Sequence, residues 1–301
     1  MSDERPTVRP VTLARLVELT NACGTQAQTT EELETALDIS HRRARETILE
    51  AVRLSLLSEE DTNQEEAPEY QTTTVGEHFL DAVRDEGWGK VSDILESRSP
   101  HYGAFLTTVE ELEPAEPTAI LTKLETDHEH SPYAFNKTSI DVIGDWGERL
   151  GAIQRNAFTG SYYRATETEV PLNFPYVLLS VFDDLEETAG VNLSQRYISV
   201  PEVREHTCER FGCTRSAFDK ALLSLVNQNV GKLELSGAPM DTGAKDARLG
   251  IKQIALADSQ GLVSTDQSTD RVMSGVEQYG KQYYYLAVHD DDLTYTQETN
   301  A

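Results

Sequence analysis

Apolar residues recur at helical spacing from the start of the chain. Leu13, Leu16, Val17 and Leu19 share one face between Thr12 and Ala22, and Gly24 is placed to stop that helix. A second helix is predicted from "TTEEL": Thr29 or Thr30 can accept a backbone N–H, and Glu32 or Glu31 supplies the acid of a capping box. Leu33, Ala36 and Leu37 form its inner face. "DIS" then reads as a turn with Ser40 as N-cap, and Ala44, Ile48, Leu49 and Val52 predict the buried stripe of a third helix.

Two helices joined by so short a turn are the core of a helix-turn-helix. Beyond it, "LSLLS" predicts a short strand, "EEDTNQEEAPE" a polar tip and "YQTTT" a returning strand, with "TVGEHFLDAVRDE" as a closing helix. Tyr70, Thr73, Gly76 and Phe79 make a Y-x-x-T-x-x-G-x-x-F stretch. Residues 1–86 therefore resemble the winged-helix domains of archaeal transcription regulators, in which such a stretch leaves the wing and enters the last helix. The resemblance implies a mainly α fold with small β-wings and a DNA-binding role.

The same pattern recurs downstream. Aligning "LDISHRRARETIL" with "FGCTRSAFDKALL" sets Leu37 on Phe211, Ile39 on Cys213, Ser40 on Thr214, Ile48 on Leu222 and Leu49 on Leu223. Ser199 is placed to cap a helix that starts at Pro201 and buries Val203, Cys208 and Phe211. "GKLELSGAPMDTGAKDARLGIKQIAL" supplies a strand, a Gly- and Pro-containing tip and a second strand, which predicts a further winged helix at 172–257.

Between the two, Trp88 to Glu113 reads as two helices, with Pro114 and Pro117 breaking the chain. Thr138 or Ser139 can cap a helix carrying Ile140, Ile143, Trp146 and Leu150, Gly151 ends it, and "AIQRN" can pair with "SYYRA". A middle winged-helix-like module is thus expected at 88–170. The expected architecture is a row of tandem winged-helix modules, at a period longer than solenoid repeats. After residue 258 a linker, the β-prone "QYYYLAV" and a disordered "HDDDLTYTQETNA" tail are expected.

Composition alters this picture in one respect. The 301-residue chain holds 52 Asp and Glu against 26 Lys and Arg, a formal net charge of −26, and Arg outnumbers Lys by 18 to 8. Acid spread along the whole chain is similar to the composition of proteins from salt-adapted archaea, where a negative surface keeps proteins soluble. At about 1 M salt the screening length falls to about 3 Å, so distant acids do not forbid a short-range contact with DNA. Three cysteines without a Cys-x-x-Cys pair argue against a disulfide scaffold or zinc ribbon. The charged "MSDERPTVRP" start and the lack of about 18 consecutive apolar residues point to a cytoplasmic chain without membrane partners.

Against that acidic background, His41, Arg42, Arg43 and Arg45 open the predicted second helix of the first helix-turn-helix. Residues just past that cap reach base edges or phosphates in such motifs, and the arginine fork can hold guanine or phosphate with two hydrogen bonds. The competing reading pairs Arg42 with Glu46, and Arg45 with Glu46 or Glu50, as a solvated face. The corresponding downstream residues are Arg215, Ser216 and Lys220, expected to be exposed, with Lys245, Arg248 and Lys252 at the wing. Lys137, Arg149 and Arg155 are scattered, and a protein-contact role suits them better.

An enzyme is poorly supported. "TDHEH" could place His128 and His130 on one strand face as metal ligands, and His206, Cys208 and Cys213 form a second loose group. No H-E-x-x-H, P-loop, G-x-S-x-G or dinucleotide fingerprint accompanies them. No catalytic residue, metal or cofactor is expected. The sequence points to a double-stranded DNA-binding protein, with a protein-interaction subunit of a nucleic-acid-associated complex as the alternative. It leaves the oligomeric state open, a homodimer included.

Overall fold

The computed structural model describes residues 6–24, 26–60, 67–189, 197–237 and 269–296. These are mainly helical with small antiparallel sheets, and they form two compact units that meet in sequence at Ile153 and Gln154. Among the described residues no helix is long and apolar enough to cross a membrane.

The first unit opens with α1 (Leu13–Cys23), β1 (Gln28–Thr29), α2 (Thr30–Leu37), α3 (His41–Arg53), β2 (Leu57–Glu60), β3 (Glu69–Thr72) and α4 (Thr74–Arg84). The strands form one antiparallel sheet in the order β1-β3-β2, so the last strand in sequence is central. Thr29 is the N-cap of α2 in a full capping box: its hydroxyl accepts from the Glu32 N–H at 3.3 Å, and the Glu32 carboxylate accepts from the Thr29 N–H at 2.8 Å.

The Tyr70 to Phe79 stretch is explained by packing. Thr73 caps α4 by accepting from the Gly76 N–H at 3.0 Å, while its own hydroxyl donates to the Ser55 carbonyl at 2.6 Å. A Cβ on Gly76 would lie 2.3 Å from the Leu56 carbonyl oxygen, so only glycine lets α4 approach the residue that leads into β2 this closely. Tyr70 and Phe79 are buried, as are Leu16, Leu33, Ile48 and Leu57 of the same unit.

The buried stripe of α3 is rotated from the expected one. Ala44, Thr47, Ile48, Glu50 and Ala51 are buried, whereas Leu49 and Val52 are half-buried. The reason lies outside the helix. Residues 6–11 run across α3 and bring Arg9, whose N–H donates to the Glu50 carboxylate at 3.2 Å, and Arg53 donates to the Thr7 carbonyl at 3.2 Å. The buried carboxylate is thereby hydrogen-bonded, as burial requires.

The same N-terminal strap joins α3 to the helices that follow: α5 (Trp88–Arg98), α6 (Pro100–Leu112), α7 (Pro117–Asp127) and α8 (Lys137–Leu150). The Pro6 carbonyl meets His101 Nε2 at 2.8 Å and the Ala134 N–H at 2.9 Å, and the fully buried Trp146 donates to the Val11 carbonyl at 3.0 Å. Residues 88–153 thus belong with the first 86 residues and do not form a separate body. Asn136 caps α8, accepting from the Ser139 N–H at 2.8 Å, where Thr138 or Ser139 had been expected. Gly151 ends it at φ 71°, a value suited to glycine.

The second unit contains β4 (Gln154–Arg155), β5 (Tyr162–Tyr163), α9 (Phe174–Ala189), β6 (Tyr197–Ser199), α10 (Val200–Phe211), α11 (Arg215–Gln228), β7 (Leu233–Ser236), α12 (Thr269–Met273), β8 (Val276–Gln278), β9 (Lys281–Tyr283) and β10 (Tyr285–Val288). β4 and β5 pair as expected from "AIQRN" and "SYYRA", but within this unit. The run from α9 through β6, α10, α11 and β7 to β10 repeats the order from α1 to β3. Its sheet, β6-β10-β7, again places the last strand in the centre. Phe174, Phe182, Val203, Cys208, Phe218, Leu222 and Leu286 contribute to its core.

Two expectations change here. The strand returning to β7 is "YLAV" at 285–288, and the "ARLGIKQIAL" stretch expected in that place lies outside the described residues, so this unit extends past 257. The acidic stretch 289–296, expected to be disordered, packs on this unit. Asn229 Nδ2 donates to the Thr294 carbonyl at 2.6 Å, Gln228 Oε1 accepts from the Thr296 N–H at 2.7 Å, and the Tyr295 ring sits 5.7 Å from that of Phe174.

Candidate nucleic-acid interface

The turn between α2 and α3 is built from Asp38, Ile39 and Ser40. Asp38 takes the left-handed conformation at φ 49°, which Asp tolerates better than most residues, and Ser40 stands at the N-cap with extended backbone. The Ser40 side chain makes no capping hydrogen bond, and the first turn of α3 carries no acid. The positive end of the helix is therefore not neutralised from within α3.

His41, Arg42, Arg43 and Arg45 are all exposed. His41 Nδ1 lies 3.1 Å from Glu34 Oε2 on α2. Arg42, Arg43 and Arg45 form no ion pair among the described residues. The acids that could have quenched them along the helix are engaged elsewhere: Glu46 pairs with Arg9 at 3.4 Å, and Glu50 meets Arg53 and Arg9. At about 100° per residue, Arg42 points away from buried Ala51, with Arg43 and Arg45 on either flank. The sheet beside them is acidic, with Glu59 and Glu60 exposed on β2.

The α10–α11 turn has another fate. Thr214 caps α11, accepting from the Ala217 N–H at 3.2 Å, and Gly212 takes φ 62°. The turn is covered by the chain's own residues 154–167. Gln154 Nε2 donates to the Cys213 carbonyl at 3.2 Å, the Thr214 N–H donates to the Glu167 carbonyl at 3.0 Å, and the Glu167 N–H donates to the Gly212 carbonyl at 3.1 Å.

Arg215, expected at the surface, is 1% exposed. It donates to Glu205 at 2.6 and 2.8 Å and to the Arg155 carbonyl at 3.0 Å, and Glu205 also accepts from the Ala157 N–H at 2.9 Å. It serves as an internal cross-link between α10, α11 and the β4–β5 hairpin. Sequence reasoning missed this because alignment fixes the place of Arg215 on its helix, whereas its exposure is decided by a hairpin about 60 residues away. Ser216 and Lys220 are exposed, and Lys245, Arg248 and Lys252 lie outside the described residues.

A second buried network, unanticipated from the sequence, stands beside the first. Arg204 is fully buried, donating to Asp219 at 2.7 Å and to the carbonyls of Val272, Ser274 and Gly275 at 3.2, 3.0 and 3.3 Å. Arg271 also donates to Asp219, at 2.6 Å. In the middle stretch Arg149 pairs with Asp145 at 2.7 Å, and the Arg155 guanidinium lies 5.4 Å from the centre of the Tyr162 ring.

The loose ligand groups take structural positions. Asp127 ends α7 and the residues after it form a turn, not the strand that would align His128 with His130; the His128 ring packs 5.3 Å from Phe135. Cys208 and Cys213 are buried in the core of the second unit, and burial raises the Cys208 thiol well above its ordinary value. Burial likewise pushes the Cys23 thiol up to about 12. Protonated thiols are poor nucleophiles and poor metal ligands. Among the described residues no group of three or more His, Cys, Asp or Glu side chains is arranged to hold a metal ion. No protein-family model, curated protein or solved structure matches this chain.

Proposed function

We propose that this chain is a non-catalytic double-stranded DNA-binding protein built of tandem winged helices, acting as a transcription regulator, with the start of α3 as its DNA contact. The observation that carries the reading is the exposed trio Arg42, Arg43 and Arg45 at the start of a second helix-turn-helix helix, without ion pairs among the described residues of a chain with twice as many acids as bases. Unpaired arginine in so acidic a molecule fits an external anionic partner. The repeated element order and the repeated strand order support a winged-helix reading of each unit.

In this reading α3 enters the major groove by its N-terminus. Arg42, pointing outward, holds a guanine edge through two hydrogen bonds, while Arg43 and Arg45 grip phosphates on the groove walls. Acidic Glu59 and Glu60 keep the β2–β3 side off the backbone, so the helix carries the contact. The experiment is retention and sequencing of randomised duplexes by the whole chain in molar KCl. A defined motif is expected. Equal recovery of all sequences, unchanged by replacing Arg42 and Arg45 with glutamine, would overturn the reading.

A second reading, a protein-docking subunit, is favoured by one observation: Leu172, in the turn before α9, and Tyr176, in its first turn, are 69% and 77% exposed.

A further inference from the structure

We propose that the β8–β9 hairpin of the second unit is a second nucleic-acid contact, in which the Tyr279 ring stacks on an unpaired base and Lys281 holds the adjoining phosphate. The pairing of Gln278 with Lys281 leaves a two-residue loop, Tyr279 and Gly280, at φ 54° and 68°. Two-residue hairpin turns with both residues at positive φ favour Asn, Asp and Gly, and an aromatic residue there is disfavoured. Packing does not offset that cost. Tyr279 is 86% exposed and makes no ring contact among the described residues. A side chain held out in water in a backbone conformation it disfavours is placed for something outside the molecule.

The hairpin that presents it is rigidly mounted. Buried Arg204 grips the carbonyls of Val272, Ser274 and Gly275 just before β8. A Cβ on Gly275 would fall 1.9 Å from the Tyr283 carbonyl oxygen, so glycine is required for the hairpin to close. Gln278 Nε2 donates to Asn227 Oδ1 on α11 at 2.9 Å, tying the tip to the helix. So fixed a mount spares the contact the entropy of ordering a loop.

Local chemistry selects the partner. Glu277, opposite Gln282, is the one acid on the hairpin; its tip, "QYGKQ" at residues 278–282, holds none, and Lys281 is exposed with no ion pair among the described residues. A bare cation beside a bare aromatic ring fits a phosphate beside a base. Bases inside a duplex have their faces covered by their neighbours, so the ring meets a free face only on a single strand or at a frayed end. Stacking is not screened by salt, so this contact would persist at the roughly molar salt where charge reaches only about 3 Å.

The test uses the full chain, a labelled oligothymidylate, a blunt duplex, and the variants Tyr279→Asn and Tyr279→Trp. Tyr279→Asn relieves the turn, so its unfolding midpoint should equal or exceed that of the parent. Its affinity for the oligothymidylate should nevertheless fall roughly tenfold, the loss typical of removing one stacked aromatic. Tyr279→Trp should retain affinity and show emission quenching on binding, and Lys281→Gln should lower the single-strand salt slope by about 0.7. Single-strand affinity of Tyr279→Asn equal to that of the parent, or a parent that ignores single strands, overturns the proposal. Duplex retention through Arg42 and Arg45 is scored separately, so either contact can fail without the other.

Discussion

α3 and α11 share a buried stripe and differ in what becomes of their first turns. Ala44, Thr47, Ile48 and Ala51 correspond to Phe218, Ala221, Leu222 and Leu225, and all eight are buried. At the helix starts the correspondence runs from His41, Arg42, Arg43 and Arg45 to Arg215, Ser216, Ala217 and Asp219. The first four are exposed, whereas Arg215, Ala217 and Asp219 are buried. In α11 the β4–β5 hairpin takes Arg215, and Arg204 with Arg271 takes Asp219. One helix start is thus committed to holding the unit together and the other is left open. A shared turn, cap and stripe does not carry a shared use.

The largest expected effect breaks the comparison on stability. Arg215→Ala leaves Glu205 as a buried charge without its main partner, and such losses cost about 3–5 kcal/mol. Arg42→Ala, at an exposed site, should stay within about 0.5 kcal/mol. Denaturant midpoints of the two variants decide it: comparable midpoints would mean that the Arg215 cross-link bears no weight. The next effect is on binding. Replacing Arg42 and Arg45 with glutamine should weaken duplex binding by about 1–3 kcal/mol for each arginine that holds a base, with the unfolding midpoint unmoved. The reciprocal change of Ser216 and Lys220 should leave binding untouched. A smaller effect separates the roles within α3. Arg43→Gln should weaken all duplexes alike and reduce the salt slope by about one, the mark of a phosphate contact, and an altered sequence preference would reassign it to a base.

What could be read from the sequence follows the range of the interactions involved. The capping box at Thr29, the Ser40 turn, the Thr214 cap and the Gly151 stop are set within a few residues, and each stands where the pattern put it. The stripe of α3 was legible only in part, because Glu50 is buried by an arginine 41 positions earlier. The exposure of His41, Arg42, Arg43 and Arg45 was legible because no described residue remote in sequence covers them, and the burial of Arg215 was not, because residues 154–167 cover it. Periodicity reports a helix's own preferred face. It carries no information on which further segment will lie across the helix start.

Glu50 gives the finest test of that point, since α3 holds a buried acid where α11 has Ser224. Burial is the largest influence on it and raises its pKa above the ordinary 4.5, against the opposing pull of Arg53, the Arg9 N–H and the Arg9 charge. A folded state that binds a proton more tightly than the unfolded chain is favoured while that proton is on. The contribution of Glu50 is therefore most favourable below about pH 4.5 and is lost as pH rises through the raised folded value. Glu50→Gln keeps an acceptor for the Arg9 N–H but cannot ionise. The stability of the parent relative to this variant should fall as pH climbs from about 4.5, then level off. Urea unfolding of both proteins across about pH 4 to 7, at fixed salt, measures the difference. A difference that grows in the parent's favour with pH would show that Arg9 and Arg53 hold the carboxylate charged. The N-terminal strap would then act on α3 through its charge as well as through its packing.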